Sequence, residues 1–172
     1  GGSALEALGR IRVIALDKTG TLTRNKPVVI DVATADCATR EQVLAVAAAL
    51  EVCSEPPLAA AILAAVDDHT PAEDVVAVTG AGLTGCLRGT DIRLGRPGWI
   101  DPGPLAADVE RMQHAGATAV LIEQDGRTLG AIAVRDELRP EAAEVVAGLR
   151  RDGYHVAMLT GDNERTARAL AT

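Results

Sequence analysis

Residues 12–23 read Arg-Val-Ile-Ala-Leu-Asp-Lys-Thr-Gly-Thr-Leu-Thr, and their order decides how the rest of the chain is read. Arg12–Leu16 is a short β-branched apolar run that stops at an Asp-Lys-Thr-Gly turn. That is the pattern of a buried parallel strand whose C-terminal end carries a loop. In open α/β sheets ligands bind in the crevice outside such strand ends, so Asp17 stands where a carboxylate meets substrate. A carboxylate there can attack a phosphoryl group and form an aspartyl-phosphate. Gly20 lets the backbone turn closely enough for successive N–H groups to approach phosphate oxygens. Alone, an Asp-Lys-Thr-Gly turn would be an ordinary loop cap; with Thr21, Leu22 and Thr23 following, the chemical reading takes precedence.

Working outward, the same α/β rhythm returns near the other end of the chain. Pro140 suits a helix start and Gly153 lies just past its end, with Glu141–Arg151 between them. His155–Leu159 reads as a second buried strand, Thr160-Gly161-Asp162-Asn163 as its exit loop, and a last helix starts at Asn163. Between these pieces the texture differs. Val28–Ala33 is a strand candidate, Thr39 with Gln42 three residues on caps a helix over Arg40–Val52, and Leu58–Asp68 is a second helix. From Asp74 to Ile132, short runs (Val75–Val78, Gly82–Leu87, Asp91–Leu94, Ala119–Gln124, Thr128–Val134) alternate with Gly, Asp and Pro turns. That spacing predicts an antiparallel sheet of hairpins with a helix, Pro104–Ala115, lying across it. The chain reads as α/β, interrupted by an α+β insertion.

Composition narrows the function. At 172 residues and 48% hydrophobic, the chain makes one domain or two small ones around a packed core. That core is aliphatic, because there is one Trp (Trp99), one Tyr (Tyr154) and no Phe. Scarce aromatics and a net charge of −7 both argue against a nucleic-acid partner, which needs stacking platforms and cations. Cys37, Cys53 and Cys86 are scattered and read as reduced buried thiols in a cytoplasmic setting. His69, His114 and His155 show no ligand spacing. Neither end resembles a signal peptide, and the most apolar stretch, Val43–Val66, is broken by Glu51, Glu55, Pro56 and Pro57, so no bilayer span is expected.

The stretch Asp17–Thr23 resembles the phosphorylation signature of P-type ATPases, members of the haloacid-dehalogenase-like superfamily. Ser54-Glu55-Pro56-Pro57-Leu58-Ala59 resembles the Ser-Glu-His-Pro-Leu-Ala motif of their heavy-metal-transporting (type IB) subfamily, and Gly80-Ala81-Gly82-Leu83-Thr84-Gly85 its G-x-G-x-x-G loop. Leu94-Gly95 followed by Trp99 is similar to a third segment closing the adenine pocket, and Thr160–Asn163 to the second phosphate loop. The resemblance covers essentially the whole chain. It implies a haloacid-dehalogenase-like, Rossmann-type phosphorylation domain, C-terminally truncated, over residues 1–25 and 135–172, with an inserted α+β nucleotide-binding domain over residues 26–134. It further implies Asp17 as nucleophile, Lys18, Thr19 and Thr160 as residues positioning phosphoryl and Mg²⁺, and Asp17 and Thr19 as Mg²⁺ ligands. Glu55 would hydrogen-bond the adenine amino group, Gly80, Gly82 and Gly95 would lie against the nucleotide, and Asp162 near nucleotide and metal. Lys18 has the alternative of a solvated loop lysine; Asp136 and Arg139, where the chain re-enters the phosphorylation domain, are either a hinge or a surface ion pair.

The function so implied is the ATP-binding, phosphoryl-accepting region of a heavy-metal cation pump, on the cytoplasmic face of the membrane. Its partners would be ATP with Mg²⁺, the transported cation through a membrane domain, and the actuator domain of the same pump. The family continues to a conserved Lys and a Gly-Asp-Gly-x-Asn-Asp loop beyond Thr172, so this stretch is expected to be a piece of a larger pump that does not autophosphorylate efficiently alone. One alternative is a soluble phosphatase of the same superfamily. Such enzymes place a second Asp two residues after the nucleophile, where this chain has Thr19, which cannot act as general acid or base near neutral pH. Another is a non-catalytic nucleotide-sensing module, suggested by two departures: Pro56 replaces the family's His and Arg96 its Asn. One hydrogen bond lost from a buried site costs about 1–3 kcal/mol, so ATP binding is expected to be weak or altered. Arg96 either reaches phosphate or points to solvent. Calcium- and sodium-pump-like relatives place a Phe against adenine; without one, the pocket here is expected to be aliphatic side chains, glycine backbone and Glu55, with Trp99 either packing or a stacking platform.

Overall fold

The computed structural model describes residues 11–35, 38–52, 54 and 57–159. Strand β1 (Val13–Asp17) and strand β8 (His155–Leu159) pair in parallel, in register from Val13 opposite His155 to Asp17 opposite Leu159. Both strands therefore finish on the same edge, which is where a parallel α/β layer presents its loops. Helix α4 (Ala142–Arg151) leads into β8, with Arg150 and Arg151 in its last turn, where positive charge is favoured.

Everything between is a six-stranded antiparallel sheet in the order β2-β7-β6-β5-β4-β3, from β2 (Thr23–Thr34), β3 (Glu73–Val78), β4 (Gly82–Leu87), β5 (Thr90–Gly95), β6 (Thr118–Gln124) and β7 (Arg127–Leu138). Helices α1 (Arg40–Glu51) and α2 (Leu58–Leu63) cover one face, and α3 (Ala106–His114) covers part of the other. The strand period of two sorts side chains between the layers. Val120 and Ile122 of β6 join Val43, Leu50 and Ile62 under α1 and α2, while Ala119 and Leu121 join Val109 and Met112 under α3. Thr39 and Gln42 form the capping box that starts α1: each side chain accepts from the other's backbone N–H, at 3.2 and 2.8 Å. With alanine at 47, 48 and 49, α1 lies close to the sheet; a Cβ on Gly130 would meet Val43, and one on Gly85 would come within 2.9 Å of Leu50 Cδ2.

Several boundaries differ from the sequence reading. The helix expected over Leu58–Asp68 stops at Leu63, because its buried side ends with Ala59, Ala61 and Ile62 while Ala64 and Ala65 face solvent. The helix expected from Pro104 begins as a 3₁₀ turn, Gly103–Leu105. Strands β2 and β7 are longer than read, because each pairs with the other along most of its length, with irregularities between Thr23 and Pro27 and between Val29 and Asp31. The helix expected from Asn163 lies outside the described residues, as do Cys37 and Cys53; Cys86 is a half-buried free thiol.

The sheet buries two carboxyls. Glu123, 8% exposed, accepts a bidentate pair from Arg93 Nε and Nη2, both at 2.6 Å, which compensates its burial. Glu51, 2% exposed at the end of α1, has a hydrogen bond from Ser54 and no cation, so desolvation pushes its carboxyl above the ordinary glutamate range. A carboxyl raised in the folded state penalises folding once it must ionise: stability is unaffected below the unfolded pKa and falls as pH rises through the folded one. Glu51→Gln is expected to raise the thermal unfolding midpoint at pH 7, the gain shrinking toward zero near about pH 4. A pH series of melting curves for both proteins checks this.

Candidate functional site

The Asp17 loop is shaped by residues that follow it. Asp17 ends β1 in extended conformation (φ −67°, ψ 139°), and Lys18–Leu22 makes a tight turn in which Gly20 takes φ 78°. Thr23, fully buried, closes that turn: its Oγ1 accepts from Gly20 N–H at 3.1 Å and donates to Lys18 O at 3.2 Å. Arg139 holds the loop from the returning chain, its N–H donating to Leu22 O at 2.9 Å, its Nε to Thr23 O at 3.1 Å and its Nη2 to Gly20 O at 3.2 Å. Asp136 Oδ1 accepts from Lys26 N–H at 2.9 Å. Asp136 and Arg139 thus both work on backbone; the surface ion pair nearby is Arg24 with Glu137 at 3.5 Å. Asp17 and Thr19 are exposed, whereas Lys18 is 7% exposed, which overturns the solvated-lysine alternative.

The three glycines of the G-x-G-x-x-G stretch answer three different steric demands. Gly80 turns the β3–β4 hairpin at φ 69°, and a Cβ there would meet nothing within 4 Å. Gly82 pairs with Gly95 across β4 and β5, and a Cβ on Gly82 would strike Leu94 O and lie 2.6 Å from Gly95 Cα. Gly85 makes room for Leu50 of α1. Gly95 itself backs onto Trp99, whose Cζ3 would be 2.6 Å from a Cβ there. Glycine at 82 and 95 is therefore required by packing with or without a nucleotide, and only Gly80 faces open space. Trp99 packs beside the α3 layer with the Arg93 guanidinium carbon 5.1 Å from its ring centroid, so this ring is part of the packing. Arg96 is exposed, and its Nε donates to Gly80 O at 2.6 Å.

A cleft of about 200 Å³ brings the loop and the sheet together, lined by Lys18, Thr19, Pro57, Leu58, Thr118 and Asp136 among others. Pro57 follows Glu55 and Pro56 directly, but Glu55, Thr160 and Asp162 lie outside the described residues. The larger groove, of about 780 Å³, is at the opposite end of the sheet beside the β4–β5 and β6–β7 turns, and none of the described site residues named from sequence lines it. Asp17 and Thr19 offer the hard oxygen donors that suit Mg²⁺. Among the described residues no group of three or more His, Cys, Asp or Glu converges to hold a metal. One organising residue carries no role in the sequence reading: Thr23 belongs to the quoted motif, and a hydroxyl just after a turn commonly bonds back to it.

The steric reading of Gly95 has a direct check. Gly95→Ala is expected to cost about 1–3 kcal/mol in urea unfolding, since the new methyl overpacks a filled site. Part of that cost should return in the Gly95→Ala/Trp99→Leu double variant, because the two side chains compete for one volume.

The chain is similar to known proteins over nearly its whole length. The sequence profile of the haloacid dehalogenase-like hydrolase family matches residues 11–172. The probable cation-transporting ATPase G of Mycobacterium tuberculosis (strain ATCC 25618 / H37Rv) is 70% identical over 171 residues, which span 99% of this chain and 22% of that protein. The probable copper-exporting P-type ATPase V of the same strain is 41% identical over 181 residues, spanning 99% of this chain and 24% of that protein. The chain thus covers less than a quarter of the length of these relatives. Among solved structures, a zinc-transporting PIB-type ATPase in the E2.Pi state superposes with a TM-score of 0.73 at 36% identity, over 99% of this chain and 29% of that one. The catalytic CPx-ATPase domain CopB-B, with a TM-score of 0.68 at 22% identity over 99% of this chain and 60% of that one, shares the fold. With the family profile running from β1 to the last residue, the chain belongs to the haloacid dehalogenase-like hydrolases, and its relatives include cation-transporting and copper-exporting P-type ATPases.

Proposed function

We propose that this chain is the ATP-binding and phosphoryl-accepting region of a heavy-metal cation-transporting P-type ATPase, carried on the cytoplasmic face of a membrane. The observation that carries the reading is the Asp17 loop, fixed at the end of β1 by Thr23 and Arg139 and opening on the cleft shared with Pro57 and Leu58. In this reading residues 26–134 hold the nucleotide, and residues 1–25 and 135–172 contribute to the phosphorylation domain. No helix among the described residues is long and apolar enough to cross a membrane.

The chemistry follows from the positions. An Asp17 carboxylate oxygen attacks the γ-phosphorus of ATP, a P–O bond forms to Asp17, the bond to the bridging oxygen breaks, and ADP departs. Mg²⁺, when bound beside Asp17 and Thr19, supplies neutralisation of the phosphate charge. Lys18 and Thr160 hold the transferring group, Asp162 lies near nucleotide and metal, and Glu55 with the backbone at Gly80, Gly82 and Gly95 receives adenine. Thr19, a hydroxyl where a phosphatase of this superfamily has a second carboxyl, cannot supply general acid–base catalysis, so the phosphoenzyme persists until the actuator domain promotes its hydrolysis.

Two measurements test the proposal. Titration with a non-hydrolysable ATP analogue is expected to shift the backbone amides of Glu55, Gly80, Gly82 and Gly95; if they stay still at millimolar ligand, the pocket is misassigned. In the intact transporter, Asp17→Asn is expected to abolish the acid-stable phosphoenzyme, and retained phosphorylation would remove Asp17 as nucleophile.

A further inference from the structure

Arg96 stands where the β3–β4 turn meets the end of β5, and it grips that turn twice. Its backbone N–H donates to Ala81 O at 3.0 Å and its side-chain Nε to Gly80 O at 2.6 Å. The residue is itself anchored: its carbonyl accepts from Trp99 N–H and Ile100 N–H, both at 3.2 Å, and Nη1 lies 3.4 Å from Pro97 O. The strand pairs Val78–Gly82 and Gly82–Gly95 fix the ends of the turn, and Arg96 acts on Gly80 and Ala81 between them. Ala81 N–H closes on Val78 O at 2.9 Å, and the space a Gly80 side chain would fill is open. Glycine in a left-handed turn loses more conformational freedom on ordering than other residues, so an unsupported turn would meet that cost when a ligand binds. A guanidinium hydrogen bond to the carbonyl sets the peptide plane beforehand, and the planar fork of arginine is suited to hold it.

Resting on the nucleotide reading above, we infer that Arg96 is a positioning residue: it clamps Gly80-Ala81 against β5 in the conformation that receives adenine, without touching the phosphates. The side chain that replaces an asparagine in the type IB pattern thus takes a structural part in the pocket through a bond to the glycine turn. This role makes a specific demand on ligand dependence. A clamp changes the readiness of the turn, so its loss weakens every adenine ligand alike; a phosphate contact would weaken them in proportion to their phosphates.

The test titrates the 172-residue chain and its Arg96→Ala and Arg96→Lys variants with adenosine, AMP and a non-hydrolysable ATP analogue, following backbone amide shifts. Amide hydrogen exchange at Ala81 and Arg96 is measured without ligand. Expected for Arg96→Ala is a loss of about tenfold in affinity, equal for all three ligands, with faster exchange at both amides. Arg96→Lys, which keeps one donor but not the planar fork, should recover part of each effect. If Arg96→Ala does not fold, as read from Trp99 emission, the partial and equal loss in Arg96→Lys decides. Unchanged affinity, or a loss that grows with each added phosphate, overturns the clamp. Failure of the wild-type chain to respond to any ligand is a different result: it removes the nucleotide reading itself.

Discussion

The parallel pairing of β1 with β8 is the constraint on which the rest depends. These strands come from opposite ends of the described chain, and their register puts Asp17 level with Leu159. Parallel strands cannot be joined by a tight turn and need a crossover. Here the crossover carries an entire six-stranded sheet and most of the core, and it leaves and returns beside the Asp17 loop. Loss of that two-stranded register would leave the inserted sheet intact and Asp17 without a strand end to occupy.

Much of this was legible in the sequence because the signals were local. The β-branched run before Asp17, the Thr39–Gln42 cap and the short runs of β4 to β7 each encode their element within a few residues, although β1 and β8, expected to be buried, leave Val13 and Leu159 exposed. What was not legible depended on partners distant in sequence. The extra length of β2 and β7 comes from their pairing, and the early end of α2 comes from where the core runs out. Lys18 looks like any loop lysine until the turn buries it, and nothing in the string Arg96-Pro97 announces a bond to Gly80.

The glycine pattern shows how one motif can have several causes. Gly80, Gly82 and Gly85 look equivalent as letters, yet one turns a hairpin, one lets two strands approach and one admits a helix side chain. Gly95 gives way to Trp99, the one tryptophan of a chain without phenylalanine, and that ring is stacked with Arg93. The aromatic scarcity noted in the composition therefore bears on packing: the lone indole is engaged in holding the sheet.

Strands β2 and β7 enter and leave the inserted sheet side by side, hydrogen-bonded to each other, and their inner ends are Thr23 and Leu138. Mechanically this is a ribbon and not a pair of strings. A two-stranded ribbon twists more readily than it shears along its length, and the irregularity nearer the Asp17 loop lies between Thr23 and Pro27, where the register slips and Asn25 takes a φ of 55°. On the far side of that point is Thr23, whose hydroxyl sets the conformation of Gly20 and Lys18. Torque applied to the sheet reaches the Asp17 loop through Thr23 on one strand of the ribbon and Arg139 just past the other, with no slack linker to absorb it.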